Sequence, residues 1–356
     1  MPGYEPEWWY KTGPHWQATL LSPAAALFGA VAAVRIRNPS PYRCRLPVIC
    51  VGNFTAGGSG KTPLALFLAK HIEAQQRQPW FLSRGYRGRL SGPIRVDPKE
   101  HTARDVGDEP LLLARRAPTV VSRDRRQGAE AIEAIASDEA VIIMDDGLQN
   151  PALHKDFSIA IVDAPRGFGN GRVIPAGPLR APLSVQAALA DLILLASSGQ
   201  GIDAALPEAL RTFAHVPIVS AETRVSADHS AFRGRRVIAY AGIANPDRFF
   251  SLLEKLGATL LERRTFADHH VFREAEARDL IDAGRRASAD LITTEKDLVR
   301  LSGSIGAAAS LRERSQALAI ETVIEGDDLA TVDDLIREAL IRKAPVQAFS
   351  RALSFR

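Results

Sequence analysis

Lys61 and Thr62 stand at the end of Pro47-Val-Ile-Cys-Val-Gly-Asn-Phe-Thr-Ala-Gly-Gly-Ser-Gly-Lys-Thr-Pro63. An apolar run, Val48 to Val51, feeds a glycine-rich turn that opens onto an amphipathic stretch, Leu64 to Ile72. A strand, a loop and a helix in that order make a phosphate cradle. Backbone N–H groups approach the anion where side chains are small, and the helix N-terminus adds its dipole. Thr55, Ala56, Gly57, Gly58, Ser59, Gly60, Lys61 and Thr62 are therefore the candidate phosphate contacts. Lys61 is expected to reach the β- and γ-phosphates, and the Thr62 hydroxyl to hold Mg²⁺. The strict form of this loop opens on glycine where this chain has Thr55, so Gly57 and Gly58 must supply the flexibility.

A second group of residues suits the metal. Ala140-Val-Ile-Ile-Met-Asp-Asp-Gly147 reads as a buried strand ending in two carboxylates. Strand carboxyl ends open onto the ligand crevice of a parallel sheet. Asp145 or Asp146 is thus expected at the metal. Alternation along a strand argues that only one of them faces inward. Val106-Gly-Asp-Glu-Pro110 has the composition of a helix start, which for Asp108 and Glu109 implies capping by itself. Phe266-Ala-Asp-His-His270 and the glycine- and proline-rich stretch 163–180 read as loops, the second long enough to suggest function.

The elements that would position these groups alternate along the chain. After Val48–Val51 come Trp80–Ser83, Thr119–Ser122, Ala140–Met144, Ser158–Val162 and Leu192–Leu195, all continuous apolar runs. Helical stretches at 64–77, 107–116 and 127–137 separate several of them. Continuous rather than alternating apolar strands belong to a parallel sheet covered on both faces. The fold class is α/β, a doubly wound, mainly parallel sheet of the phosphate-loop NTPase type. The rhythm breaks at 197–205 and resumes with Arg236–Tyr240, Ala258–Leu261, Asp290–Thr294 and Ala317–Ile320. These imply a second, smaller α/β domain. The boundaries expected are 1–40 for an N-terminal helix, 41–225, 226–345, and a tail at 346–356.

Composition narrows the class. The chain has 356 residues, 46% of them hydrophobic, enough for two folded domains and too apolar for disorder. Its net charge is +4, with arginines crowded between Arg84 and Arg126. Aromatic residues do not interleave with them, so no nucleic-acid partner is expected. Cys44 and Cys50 are the only cysteines, without metal-ligand spacing, which fits a reducing compartment. Residues 18–34 carry no charge; Trp8, Trp9, Tyr10 and Trp16 precede them, and Arg35 and Arg37 follow. Glu5 and Glu7 argue against a secretory signal, and seventeen residues interrupted by Pro23 fall short of the roughly 20 needed for a span. An aromatic belt ahead of an apolar helix instead suits the membrane interface.

With these pieces in order, the chain resembles the tetraacyldisaccharide 4′-kinase family of lipid A synthesis. The resemblance rests on Val51-Gly-Asn-Phe-Thr-Ala-Gly-Gly-Ser-Gly-Lys-Thr-Pro63, Ser83-Arg-Gly-Tyr86, Gly107-Asp-Glu-Pro110 and Asp145-Asp-Gly-Leu-Gln149. It continues through Arg166-Gly-Phe-Gly-Asn-Gly-Arg172, Pro175-Ala-Gly-Pro-Leu-Arg180, Ala267-Asp-His269 and Thr294-Glu-Lys-Asp297. The family shares the threonine at the position of Thr55; it often has His where this chain has Asn150, so that position is given no role.

The resemblance implies transfer of the ATP γ-phosphate to the 4′-hydroxyl of a tetraacyl glucosamine disaccharide 1-phosphate, giving lipid IVA. It implies ATP and Mg²⁺ as cofactors, with Thr62, Asp145 or Asp146, and Glu109 around the metal. Asp108 becomes the base, His269 its partner, and closure of the two domains a requirement. Arg84, Arg123 and Arg172 are candidates for the substrate's existing phosphate. The implied setting is the cytoplasmic face of the inner membrane of a Gram-negative-type bacterium, with no obligate protein partner. Another phosphate-loop small-molecule kinase or GTPase, or a membrane-tethered ATP-binding regulatory module, is the alternative. Thr294-Glu-Lys-Asp297 lacks the asparagine of a guanine reader, which favours adenine.

Overall fold

Strands form where the apolar runs predict them, and they sort into two sheets. In the computed structural model, residues 5–11, 13–37, 39–58, 60–197, 206–213, 215–226 and 229–343 are described. Ser59, the expected tail at 346–356 and most of the break at 197–205 lie outside them.

The large sheet contains β1 (Val48–Asn53), β2 (Gln78–Ser83), β3 (Ile94–Arg95), β4 (Thr119–Val121), β5 (Ala140–Asp145), β6 (Phe157–Asp163), β7 (Leu192–Ser197), β8 (Ile218–Val225) and β13 (Ile320–Val323). The smaller sheet contains β9 (Arg236–Ala241), β10 (Thr259–Thr265), β11 (Asp290–Thr294) and β12 (Ser315–Leu318). The large sheet runs β13-β8-β7-β6-β1-β5-β2-β4-β3, and the small one β10-β9-β11-β12. Every pairing is parallel except the two outermost of the large sheet, β13 with β8 and β3 with β4. This is the doubly wound, mainly parallel architecture expected, with a second sheet beside it.

Both faces of the large sheet are covered. On one, Leu64, Leu68 and Ile72 of the helix Lys61–Ala74 pack against Ile49, Val51, Ile143 and Ile159. On the other, Ala129 and Ile132 of the helix Arg125–Glu133 meet Val48, Cys50, Ile142 and Met144. Strand β1 is buried at all six positions, which is why it carries no alternation.

The sheets divide the chain differently from the expected 226–345 boundary. Ala317 to Ile320 is not one strand: β12 ends at Leu318 in the small sheet and β13 begins at Ile320 in the large one. The final helix, Gly326–Lys343, then packs Val332, Ile336 and Ala339 into the same core as the phosphate-loop helix. Their helical spacing marks an apolar stripe but does not say which sheet receives it.

The apolar N-terminal stretch forms two helices, Trp16–Leu20 and Ser22–Arg37, broken at Leu21. Ala25 and Gly29 are buried, Gly29 facing Pro182 and Val173. Leu20, Leu27, Val31 and Val34 are exposed. Among the described residues no helix is long and apolar enough to cross a membrane. Ahead of these helices Trp9 is buried and donates its indole N–H to the Pro175 carbonyl at 3.3 Å, strapping the leading segment to the long loop.

Candidate active site

The phosphate loop leaves β1 and turns into the helix that starts at Lys61. Gly57 and Gly60 take left-handed φ values of 98° and 90°, which favour glycine. Thr55 has no such need: it forms an isolated bridge with Leu179, and the Ala56 amide donates to the Pro178 carbonyl at 2.8 Å. An extended, paired backbone suits a β-branched residue, which accounts for threonine where the strict motif has glycine. Lys61 Nζ lies 3.4 Å from the Gly57 carbonyl and 3.8 Å from Asp146 Oδ1, and Thr62 is buried at the first turn.

Both carboxylates at the end of β5 line the cavity, against the expectation that only one would. The strand ends at Asp145, and Asp146 takes a left-handed φ of 52°, which turns its side chain back to the same side. Their surroundings differ. Arg180 grips Asp146 with two hydrogen bonds, at 2.8 and 3.3 Å, and its Nε donates to the Thr55 carbonyl at 3.0 Å. Burial opposes the Asp146 charge, but Lys61 and Arg180 outweigh it and hold this carboxyl well below the usual range. Asp145 has no such cation in contact. Its Oδ1 is buried without a hydrogen-bond partner, and its Oδ2 accepts only a long bond, 3.5 Å, from the Ser83 hydroxyl. Burial first, then Glu109 and Asp146, push it up to about 7.

An orphaned carboxylate oxygen beside a phosphate loop is the position a divalent cation would fill. Among the described residues no three metal-ligating side chains gather. Magnesium needs few protein ligands when phosphate oxygens and waters complete its octahedron. Asp145 and Thr62 fit that role. Glu109 is engaged by Lys296 Nζ at 2.6 Å, and Asp146 by Arg180.

Gly107, at φ 92°, turns the chain into the helix Asp108–Ala114, which packs against the helix Glu295–Arg300 of the small-sheet domain. Asp108 is the centre of that contact. His269 Nδ1 lies 3.0 Å from its Oδ2, Arg300 reaches the same oxygen at 2.5 Å, and its Oδ1 accepts from the Glu109 amide at 2.9 Å. Burial opposes ionisation, but the His269 hydrogen bond, Arg300 and Lys296 hold the Asp108 carboxyl far below its ordinary value. His269 itself sits at a left-handed φ of 58°, with its amide donating to the Gly242 carbonyl at 3.0 Å. Its ring lines the cavity beside Tyr86 and Asp268, whereas Asp108 lies just behind the wall. The imidazole is thus the face of the pair that a substrate meets.

One cavity of about 1170 Å³ between the two sheets joins Gly57, Gly58, Gly60, Lys61, Thr62, Glu109, Asp145, Asp146 and His269. That exceeds the roughly 300–1,000 Å³ of a site for one small ligand. Of the three candidate arginines, Arg84 lines it. Arg123 is exposed outside it and donates to the Gly88 carbonyl at 3.1 Å. Arg172 lies under the N-terminal helices, donating to the Ser22 hydroxyl at 2.6 Å. The basic run 84–126 disperses into separate contacts: Arg89 to Asp105, Arg116 to Glu73, Arg126 to Glu130.

Sequence reasoning gave no role to Arg180, Lys296 or Arg300. Arg180 and Lys296 stand inside the matched segments, so the signal was present. Arg300 follows Lys296 by one helical turn, the spacing of one face.

Comparison with known proteins agrees with this geometry. The profile of the family described as tetraacyldisaccharide-1-P 4′-kinase matches residues 17–340. A tetraacyldisaccharide 4′-kinase of Methylobacterium radiotolerans is 49% identical over 296 residues, covering 83% of this chain and 89% of the relative. One from Brucella suis is 45% identical over 323 residues, covering 91% and 93%. Among solved structures, LpxK from Aquifex aeolicus in complex with ATP superposes with a TM-score of 0.69 at 25% identity, covering 91% of this chain and 99% of that one.

Proposed function

The chain belongs to the tetraacyldisaccharide 4′-kinase family, and on that premise we propose how its cleft carries out the reaction. It is an ATP-dependent kinase of lipid A synthesis that phosphorylates the 4′-hydroxyl of a tetraacyl disaccharide 1-phosphate. The observation that carries the mechanistic reading is the meeting of Asp108 and His269 on the wall of the cavity that also holds the phosphate loop.

Lys61 and the amides of residues 57–62 hold the triphosphate. Asp145 and Thr62 hold Mg²⁺, which neutralises phosphate charge when bound. Arg180 ties Asp146 to Thr55 and so fixes the metal-bearing strand against the phosphate loop. The acceptor hydroxyl lies against His269; as its oxygen bonds to the γ-phosphorus, its proton passes to the Asp108–His269 pair. Phosphoryl transfer has a loose transition state, so alignment and charge neutralisation contribute more than proton removal. The pair belongs half to each sheet domain, so assembly of the site depends on how the domains close.

The acceptor is a lipid, and the exposed side chains of Leu20, Leu27, Val31 and Val34 lie on the helices beside the cavity. Phe28 of the same helix lines the cavity itself. This face rests in the membrane interface, at the cytoplasmic leaflet, and presents the lipid headgroup to the cleft. Arg84 meets the existing phosphate of that headgroup.

The test incubates the protein with γ-labelled ATP, Mg²⁺ and the acylated disaccharide monophosphate in detergent. Label enters the lipid with the wild type and not with Asp108→Ala. Equal labelling by the two removes the dyad from the mechanism.

A further inference from the structure

The segment Thr294-Glu-Lys-Asp297 opens the helix Glu295–Arg300, and its lysine has no part in the mechanism above. Three of the four residues have evident local work. The Thr294 hydroxyl and Asp297 cap the helix, Asp297 also accepts from the Gly242 amide, and Glu295 accepts from the Ile320 amide. Lys296 differs: it lines the cavity, and its side chain keeps 28% of its surface open.

Its ammonium touches Glu109 at 2.6 Å, the one hydrogen bond it makes among the described residues. An ammonium has three donors, so two remain for an anion in the cavity. Burial disfavours the charge, but Glu109 and then Asp108 outweigh it and keep the ammonium protonated. Lys61, from the phosphate-loop helix, and Lys296, from the small-sheet domain, both line the cavity that Asp145 also lines. The clasp between domains does not need Lys296, since Arg300 already bridges to Asp108 with a nearly buried guanidinium.

We infer that Lys296 is a catalytic residue: its ammonium contacts the γ-phosphoryl group from the small-sheet side of the cleft, facing Lys61. In the transfer, the bond from the γ-phosphorus to the β–γ bridging oxygen breaks and ADP leaves with that electron pair. The acceptor oxygen bonds to phosphorus and its proton goes to the Asp108–His269 pair. Negative charge then spreads over the three equatorial oxygens, where a fixed cation is most effective. Until a phosphate arrives, Glu109 holds the ammonium in place. This inference rests on the kinase reading and deepens it.

The test is a double-mutant cycle on Lys296 and Glu109, with two readouts: kcat for lipid phosphorylation, and calorimetric affinity for ATP and for ADP with aluminium fluoride, which mimics the transferring group. Lys296→Gln is expected to lower kcat about 100-fold or more, the scale of a lost transition-state donor. ATP affinity stays within about threefold, while ADP–aluminium fluoride binding weakens at least about thirtyfold. In the Glu109→Gln background, where the lysine has no carboxylate to serve and no buried charge is left unpaired, removing Lys296 still costs about tenfold or more. No further loss in that background, or an ATP affinity that falls in step with kcat, overturns the inference. Wild-type protein that labels no lipid and binds no ADP–aluminium fluoride defeats the kinase reading itself; active wild type with a flat cycle defeats only Lys296.

Discussion

His269 Nδ1 and Asp108 Oδ2 lie 3.0 Å apart although 161 positions separate the two residues in the chain. One is fixed by a helix start on the large sheet, the other by a left-handed turn beside the small sheet. Neither domain alone holds both members of this pair.

The two residues should behave as one unit. Asp108→Ala and His269→Ala are each expected to lower kcat by about 10²–10³, and the double variant by little more, with KM for ATP nearly unchanged. Steady-state kinetics on the four proteins checks this. Losses that multiply would mean two independent roles.

Lys61→Ala should abolish activity without unfolding the protein. Asp146, the carboxylate beside Lys61, keeps its two hydrogen bonds to Arg180, so no buried charge is stranded. The expected loss in ATP affinity is roughly 100-fold, about 3 kcal/mol, read by calorimetry. Unchanged circular dichroism alongside that loss is the expected signature.

Asp105 gives a pH-dependent test away from the cleft. Its carboxylate accepts from the Thr102 amide at 2.8 Å, the Thr102 hydroxyl at 2.7 Å and Arg89 at 2.7 Å. The Thr102 backbone bond, then its hydroxyl, hold the carboxyl below its ordinary value. A carboxylate depressed on folding contributes stability above its unfolded pKa, near 3.9, and loses it as pH falls through the folded value. Asp105→Asn should cost about 1 kcal/mol in urea denaturation at pH 7, and the difference from wild type should shrink as pH falls below about 4.

The exposed face of the N-terminal helix should govern membrane association. Leu27 is 70% exposed and Val31 54%, one helical turn apart. Replacing either with Glu is expected to weaken binding to anionic vesicles about tenfold, while phosphorylation of a detergent-dispersed acceptor changes little. Sedimentation with vesicles measures the first effect. Unaltered sedimentation of the double variant would remove this face as the anchor.

The residues legible in the sequence were those whose chemistry is written in contiguous segments. A buried strand, a glycine turn and Gly60-Lys61-Thr62 define each other over a few positions, as do β5 and Asp145. What escaped depends on where segments meet. Arg180 pairs with Asp146 across 34 positions, and Arg300 with Asp108 across 192. No periodicity announces either. Asp146 broke the alternation rule because one left-handed residue undoes it, and Ala319 divides what reads as a single apolar run between two sheets.

The last strand and helix also bear on how the molecule comes into being. Val332, Ile336 and Ala339 complete the core beneath Leu64 and Leu68, so the floor under the nucleotide cradle is synthesised only after every strand of the small sheet. A nascent chain that has just exposed its first five strands holds a half-built layer with apolar residues facing solvent. Emergence of residues 320–340 from the ribosome is therefore the step that finishes the ATP-binding half, and premature termination before β13 would leave that half incomplete although every strand of the small sheet had been made.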